Sequence, residues 1–403
     1  MSETIVRIAA RGDGVTAGGR HFAFAAPGDT VDEAGTIAPG PGRQVPPCRH
    51  FPACGGCRLQ HLTDDAFATY CEDRITGALA QHGLACDIRP ALLSPPRTRR
   101  RASLHALRSG GGVAIGFHEA GSKRVVDLTE CHVLAPELFA LLRPLRGLLA
   151  TMLKPKRMAT IQLTLADQGV DVALAGVEAD GLAAAEALTT FGDKHRLARL
   201  SLDDGYGPEV RYEPVPATVT LSGIAVALPV GAFLQATRDG EAALVAAVRQ
   251  AVGGSPRTAD LFAGLGTFAL ALDGEVTAAE ASREAILALK SAAGRAGRAI
   301  ATAHRDLYRN PYQMNELAAF DAAVLDPPRA GAFEQITTLA ASTIARIAYV
   351  SCNPATFARD AEALVAGGFT LHWVQPVGQF RWSTHIELAA SFSRGEAALR
   401  RAG

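Results

Sequence analysis

The chain has 403 residues, with 40 Lys plus Arg set against 40 Asp plus Glu, so its formal net charge is zero. That excludes a global electrostatic attraction for nucleic acid and leaves any such role to local clusters such as Arg97-Thr-Arg-Arg-Arg101. With 48% hydrophobic and 20% charged residues it is a folded globular chain, and its length predicts two or three domains. No segment approaches 18 uninterrupted apolar residues, and Met1–Arg20 carries charges and glycines where a signal sequence has an apolar core. No membrane association and a cytoplasmic location are therefore expected. In that compartment seven cysteines point to metal or catalytic thiols rather than to a disulfide framework.

In chain order, residues 1–45 are rich in Gly, Ala and Pro and predict an abbreviated β module, closed by a loose Pro/Gly linker. A cysteine segment follows, then one helix over about Asp64–Gly83. Arg101–Leu107 and Val113–Phe117 flank a Gly-Gly-Gly turn and predict a hairpin; Met158–Leu165 and Gly169–Leu174 predict another, with a helix near Leu182–Thr190. Residues 46–230 thus form an α+β region. From 231 to 403 the pattern changes to strand–helix alternation, with strands at Thr258–Phe262, Glu275–Ala279, Asp321–Leu325 and Ile347–Ser351. Helices fall between them, one starting at Phe268–Leu272. The expected fold class is therefore α/β, a doubly wound parallel sheet preceded by an α+β domain and a short β module.

Three of those strands end in residues suited to chemistry. Thr258-Ala-Asp-Leu-Phe-Ala-Gly-Leu-Gly runs into a glycine turn behind Asp260, Ala323-Val-Leu-Asp-Pro-Pro-Arg stops at Asp326, and Ile347-Ala-Tyr-Val-Ser-Cys-Asn-Pro stops at Cys352. Open α/β sheets bind ligands along this edge, which predicts one active site holding Asp260, Asp326 and Cys352. The turn has G-x-G without the third glycine of the dinucleotide fingerprint. This favours a nucleoside ligand without phosphates, S-adenosylmethionine being the obvious one, with Glu280 at the next strand end to accept ribose hydroxyls. Asp306, after Ala301–His304, falls at the following strand end, where it either faces the adenine or simply caps a helix.

Cys48, Cys54 and Cys57 have the spacing C-x5-C-x2-C, with Gly55 and Gly56 free to curl the chain so that the sulfurs converge. Cys131 is the candidate fourth ligand. Spacing alone favours neither zinc nor an iron–sulfur cluster. His50 and His61 are further candidates beside it, whereas Cys71 and Cys86 read as small core residues. Arg97, Arg99, Arg100, Arg101, Lys154, Lys156 and Arg157 are candidates for phosphate contact.

Taken together, the cysteine motif with "GGCRLQHL", "DLFAGLGTF", "LDPPRAG", "SCNPATFARD" and "STHIEL" resembles the iron–sulfur-containing RNA 5-methyluridine methyltransferases, over most of the chain from Pro47 to Phe392. The resemblance implies a class I S-adenosylmethionine-dependent methyltransferase domain and methylation of uridine C5 in RNA. It further implies Cys352 as nucleophile on C6 and Glu387 as the proton-abstracting base. Cofactor contacts are implied for Gln235, Phe262, Thr267, Glu280, Asp306 and Asp326, and a [4Fe–4S] cluster on Cys48, Cys54, Cys57 and Cys131. A monomer acting on RNA is expected, 23S rRNA being favoured over tRNA by the form of the cysteine motif. Three positions depart from the family pattern: Thr237 stands in place of Asn, Gly378 in place of an acid, and Phe380-Arg381 in place of Phe-Pro. With the shortened RNA-binding β module, which has little room for five full strands, they leave open a catalytically weakened RNA-binding protein.

Overall fold

The computed structural model describes residues 2–395. Residues 3–38 form a five-stranded sheet in the order His21–Phe22, Gly14–Thr16, Glu3–Ile8, Thr30–Val31, Ile37–Ala38. All five strands fit because three of them are only two residues long, over a small core of Ile5, Ala25 and Val31. Buried Asp29 replaces missing apolar mass by accepting hydrogen bonds from Ala26 N, Gly40 N and the Arg43 guanidinium.

The middle of the chain is a six-stranded sheet with Met158–Ala166 between Arg101–Ser109 and Gly169–Ala175. Both predicted hairpins form. The helix Gly181–His195 crosses over to make Arg199–Asp203 parallel to Gly169–Ala175, and the amphipathic helix Leu142–Met152 packs on the sheet. Sequence reasoning named neither that helix nor the strand Arg199–Asp203.

The third sheet has nine strands. Ile300–His304, Glu275–Glu280, Arg257–Leu261, Ala322–Leu325 and Arg346–Ser351 lie side by side and parallel, as alternation predicts. Beyond them the expectation of a purely parallel sheet fails. Glu387–Ser393 pairs antiparallel with Arg346–Ser351, and Thr370–Gly378 pairs antiparallel with Glu387–Ser393. No helix separates these last two strands, so a parallel crossover is unavailable to them. Two short strands from earlier in the chain, Asp87–Ile88 and Leu92–Leu93, cover the outer edge of Thr370–Gly378. Alternate residues face two cores: Ala259, Leu261, Ala323, Leu325 and Tyr349 pack towards the helices Asp64–Gln81, Phe333–Ala341 and Pro354–Ala366. Ala278, Ala322, Val324, Ala348 and Val350 pack towards Arg238–Val252 and Arg283–Arg295. The helix expected at Phe268–Leu272 is only the 3-10 turn Ala269–Ala271.

Arg100, one of the candidate phosphate-binding arginines, does a different job. It is 4% exposed, its Nε donates to Gln235 O at 3.0 Å, and its guanidinium pairs with Glu241 at 2.5 Å. Its backbone N–H also donates to Ala236 O. Arg101 is likewise committed, its Nη1 donating to Leu234 O. The six-stranded sheet is thereby bonded to the segment that enters the nine-stranded one. Removing one member of a buried pair strands the other charge, at a cost of about 3–5 kcal/mol. Arg100→Met is therefore expected to lower the unfolding midpoint by that equivalent, and Arg100→Met with Glu241→Leu to recover most of it in thermal unfolding.

Candidate active site

The order of the nine-stranded sheet reverses between Arg257–Leu261 and Ala322–Leu325, the switch point at which such sheets open a crevice. A cavity of about 1000 Å³ lies there. Its wall includes Phe262, Thr267, Glu280, Asp306, Asp326, Cys352 and Glu387. Seven of the eight expected catalytic and cofactor residues therefore meet in one space.

Two glycines make the first wall possible. Gly264 and Gly266 both have positive φ; a Cβ on Gly266 would lie 2.3 Å from Leu289, while one on Gly264 would meet nothing within 4 Å. The turn thus packs tightly on its helix side and stays open on the cavity side. Glu280 is fixed by accepting from Gly264 N at 2.9 Å and Ser282 N at 2.7 Å. Phe262 sits at φ 64 with its ring 5.5 Å from Tyr308, a conformation that costs a non-glycine residue of order 1–3 kcal/mol. Asp306 lines the cavity, and its Oδ1 accepts from Tyr308 N at 3.0 Å, capping a turn rather than the helix of one expectation.

Asn353 explains the placement of Cys352. Its side chain caps the helix Pro354–Ala366 by accepting from Ala355 N, with Pro354 at the first helical position, so the strand stops and the helix starts on either side of the thiol. Asn353 Nδ2 also donates to Arg329 O at 3.0 Å, tying this loop to the Asp326 loop. On the partner strand, Ser351 pairs with Leu388. Continuing that antiparallel register by one residue sets Cys352 opposite Glu387, and opposite residues point to the same face.

Gln235 and Asp260 do not line the cavity. Gln235 stands behind it, donating to Asp326 Oδ2 at 3.0 Å and accepting from Gln379 Nε2 at 2.7 Å. Asp260 is fully buried; its Oδ2 accepts from Ala269 N at 2.8 Å and its Oδ1 has no partner. Asp260 lies within the strand Arg257–Leu261, and its bond to Ala269 N holds it in the core, beneath the glycine turn, instead of in the crevice. Gln379 is the residue that sequence reasoning missed; it sits in the gap between two quoted motifs, and only its burial at 1% exposure marks it.

The departures from the family pattern are accommodated. Thr237 caps Arg238–Val252 by accepting from Gly240 N, the capping role open equally to Asn. Gly378 leaves room for Leu93, whose Cδ2 would lie 2.6 Å from a Cβ. Arg381 donates to Ser94 O and pairs with Asp64.

Burial dominates the charge states. It pushes Asp326 up to about 7 against the lowering hydrogen bond from Gln235, and Asp260 up to about 8. Glu387 is held well above the usual carboxylate range by burial and by Asp326, and Cys352 is pushed up to about 11 by burial, Glu387 and Asp326, with Arg329 opposing. Burial thus favours the neutral forms of both the thiol and the acid opposite it.

Cys48, Cys54, Cys57 and Cys131 line a second, small cavity, with Gly56 and Phe117 forming a wall shared with the first. None is in a disulfide, and burial raises all four, Cys57 to about 12. Four unpaired soft donors on one space suit a thiolate-bound group. Among the described residues, however, no three His, Cys, Asp or Glu side chains are gathered to hold a single metal ion. His50 and His61 are not on this wall. His50 accepts from Thr129 N, and His61 is a buried ring packed between Phe24 and Phe51, pushed down to about 4 by burial. Trp382 fills the space between this loop and the active site: it packs with Cys57 and Val133, and its carbonyl accepts from both Arg58 N and Leu59 N.

Comparison with known proteins agrees with this geometry. A family model described as tRNA (Uracil-5-)-methyltransferase matches residues 301–394. An uncharacterized RNA methyltransferase of Zymomonas mobilis is 47% identical over 393 residues, spanning 97% of this chain and 99% of that one. The 23S rRNA (uracil(1939)-C(5))-methyltransferase RlmD of Thiobacillus denitrificans is 31% identical, spanning 95% and 94%. This chain belongs to the RNA (uracil-5-)-methyltransferase family. Its enzyme class is that of the RNA (uracil-5-)-methyltransferases. The fold is shared with the tRNA (uracil-54, C5)-methyltransferase of Pyrococcus abyssi, solved in complex with S-adenosyl-L-homocysteine, at TM-score 0.76 and 20% identity over 97% of this chain and 99% of that one.

The raised acids give a signed pH dependence. Below about 4 the folded and unfolded chains both carry the Asp260 proton, and no penalty exists. As pH rises towards about 8 the unfolded chain releases it first, so the fold binds more protons and stability falls. Asp260→Asn is expected to flatten the decline in unfolding midpoint between about pH 5 and 8, leaving the part due to Asp326 and Glu387; an equal decline in the variant would contradict the assignment.

Proposed function

We propose that this enzyme methylates C5 of uridine in RNA through a covalent Cys352–C6 adduct, with Glu387 removing the C5 proton. The observation that carries the reading is the placement of Cys352 and Glu387 on one cavity wall with the glycine turn and Glu280. S-adenosylmethionine would supply an electrophilic methyl carbon, held by Phe262, Thr267, Glu280 and Asp306, with Gln235 acting through Asp326. Uracil C5 is a weak nucleophile. As the thiol loses its proton and sulfur bonds to C6, the C5–C6 electron pair moves into an enolate, which makes C5 able to attack the methyl carbon. Asp326, titrating near neutrality, is suited to accept the thiol proton. Glu387, once ionised, takes the C5 proton; the double bond re-forms and the C6–S bond breaks. A base in RNA must leave its stack to reach such a recessed thiol.

The ribosomal target is favoured because the 23S rRNA-modifying relative is 31% identical over nearly the full chain. The cytoplasm is the compartment where that RNA and reduced thiols coincide, and a monomer is the proposed form. The same reading assigns a [4Fe–4S] cluster to Cys48, Cys54, Cys57 and Cys131, supported by four unpaired thiols on one cavity. Bound there, it would supply a rigid cross-link between the cysteine loop and the segment around Cys131.

RNA carrying 5-fluorouridine is expected to form a denaturation-resistant adduct with the wild type and S-adenosylmethionine, and none with Cys352→Ala. Glu387→Gln is expected to lower turnover on ordinary RNA by ~10²–10⁴-fold while accumulating adduct; an adduct in Cys352→Ala would refute the nucleophile. Protein prepared without oxygen is expected to contain iron and sulfide in equal amounts, both lost in Cys57→Ser; zinc in their place would refute the cluster.

A further inference from the structure

The cavity has an electrical axis. One end carries Glu280, Glu284 and Asp306, set at or just beyond the strands Glu275–Glu280 and Ile300–His304. Away from it, Arg329 lies in the loop bonded to Asn353, next to Cys352, and Arg58 and Arg99 line the same cavity. Glu280 and Cys352 follow strands three positions apart, which at the usual spacing separates the ends by roughly 14 Å. Arg329 acts electrostatically on Cys352, and both Arg329 and Arg99 act on His385, which lines the same cavity.

Among the described residues none of these three arginines is in an ion pair. Arg305, the remaining arginine of the wall, is neutralised by Glu316 at 2.6 Å. Arg99 donates only its Nε, to Arg101 O at 3.0 Å, and lies with its guanidinium carbon 5.6 Å from the Phe380 ring. Arg58 lies 5.9 Å from the Phe24 ring, and only the Arg329 backbone is bonded, accepting from Asn353 and Thr356. Three cations left bare around one recess are arranged for an incoming anion with several charges, and guanidinium groups suit phosphate in particular.

Building on the reading above, we propose that Arg58, Arg99 and Arg329 grip the RNA backbone phosphates on either side of the flipped nucleotide. They come from the cysteine loop, the segment leading into the six-stranded sheet and the Asp326 loop, so the grip is complete only when all three parts of the chain are assembled. Arg100 and Arg101, committed to backbone and Glu241, take no part. The competing source of negative charge is the methionine carboxylate of S-adenosylmethionine, and the test separates the two.

The test uses the full chain, a short uridine-containing single-stranded RNA and S-adenosylhomocysteine, with RNA affinity measured across a series of KCl concentrations. Each phosphate contact on a single strand contributes ~0.7 to the slope of log affinity against log salt. Arg58→Gln, Arg99→Gln and Arg329→Gln are each expected to reduce the slope by about that amount, with S-adenosylhomocysteine affinity unchanged. Arg329, being exposed, guards against misfolding as an explanation. Slopes equal to wild type in variants that still bind S-adenosylhomocysteine would overturn the proposal. So would lost S-adenosylhomocysteine affinity with an unchanged slope, which would assign the cations to the cofactor. Wild-type protein that shows these slopes but methylates no uridine would refute the proposed reaction and leave the grip standing.

Discussion

The antiparallel pairing of Arg346–Ser351 with Glu387–Ser393 is the constraint on which the site depends. In a purely parallel sheet every strand would end on the crevice side and begin on the far side. Reversing one strand brings the start of Glu387–Ser393 to the edge where Arg346–Ser351 ends, and so puts two chemical groups from adjacent strands within one cavity. A one-residue slip would turn Glu387 to the opposite face and away from the thiol. The register is protected by burial on both faces: Ala389, Ala390, Phe392 and Leu388 are all at most 1% exposed and belong to alternating cores.

A second layer of control runs through buried hydrogen bonds. Gln379 donates to Gln235, Gln235 donates to Asp326, and Gln379 also lowers Glu387 by hydrogen bonding. Two amides thus connect the two acids of the cavity. The Gln379 amide is oriented from outside, because its Oε1 accepts from Ala236 N, and Arg100 fixes the backbone of Gln235 by donating to its main-chain carbonyl. Amide side chains suit this role because each has both a donor and an acceptor, so the chain of bonds stays satisfied whichever acid carries the proton.

Much of this was legible in the sequence because strand ends and helix starts are local events. Cys352-Asn353-Pro354 announces a stop and a cap in three letters, and the glycine turn is equally self-contained. What stayed hidden depends on distant partners. The antiparallel direction of the last two strands needs knowledge of which neighbour each finds, and the placement of Asp260 depends on a turn that packs as a 3-10 segment rather than a helix. The arginine cluster was readable as charge but not as role: only the fold separates buried Arg100 and bonded Arg101 from Arg99, two residues earlier, which faces the cavity. The five short N-terminal strands form because Asp29 and Arg43 supply polar closure that composition does not announce.

The charge preferences of the site follow from the same burial that positions it. Isolated charges in such a recess are costly, so burial favours the protonated forms of Cys352 and Glu387 and pushes Asp326 up to about 7. A positive group brought beside these acids favours their ionised forms, by the same Coulomb coupling that links Cys352, Glu387 and Asp326 in the free protein. Arg329 already acts in this direction on the thiol, so the groups around Cys352 oppose one another: burial and the neighbouring acids hold its proton on, and the guanidinium favours its loss.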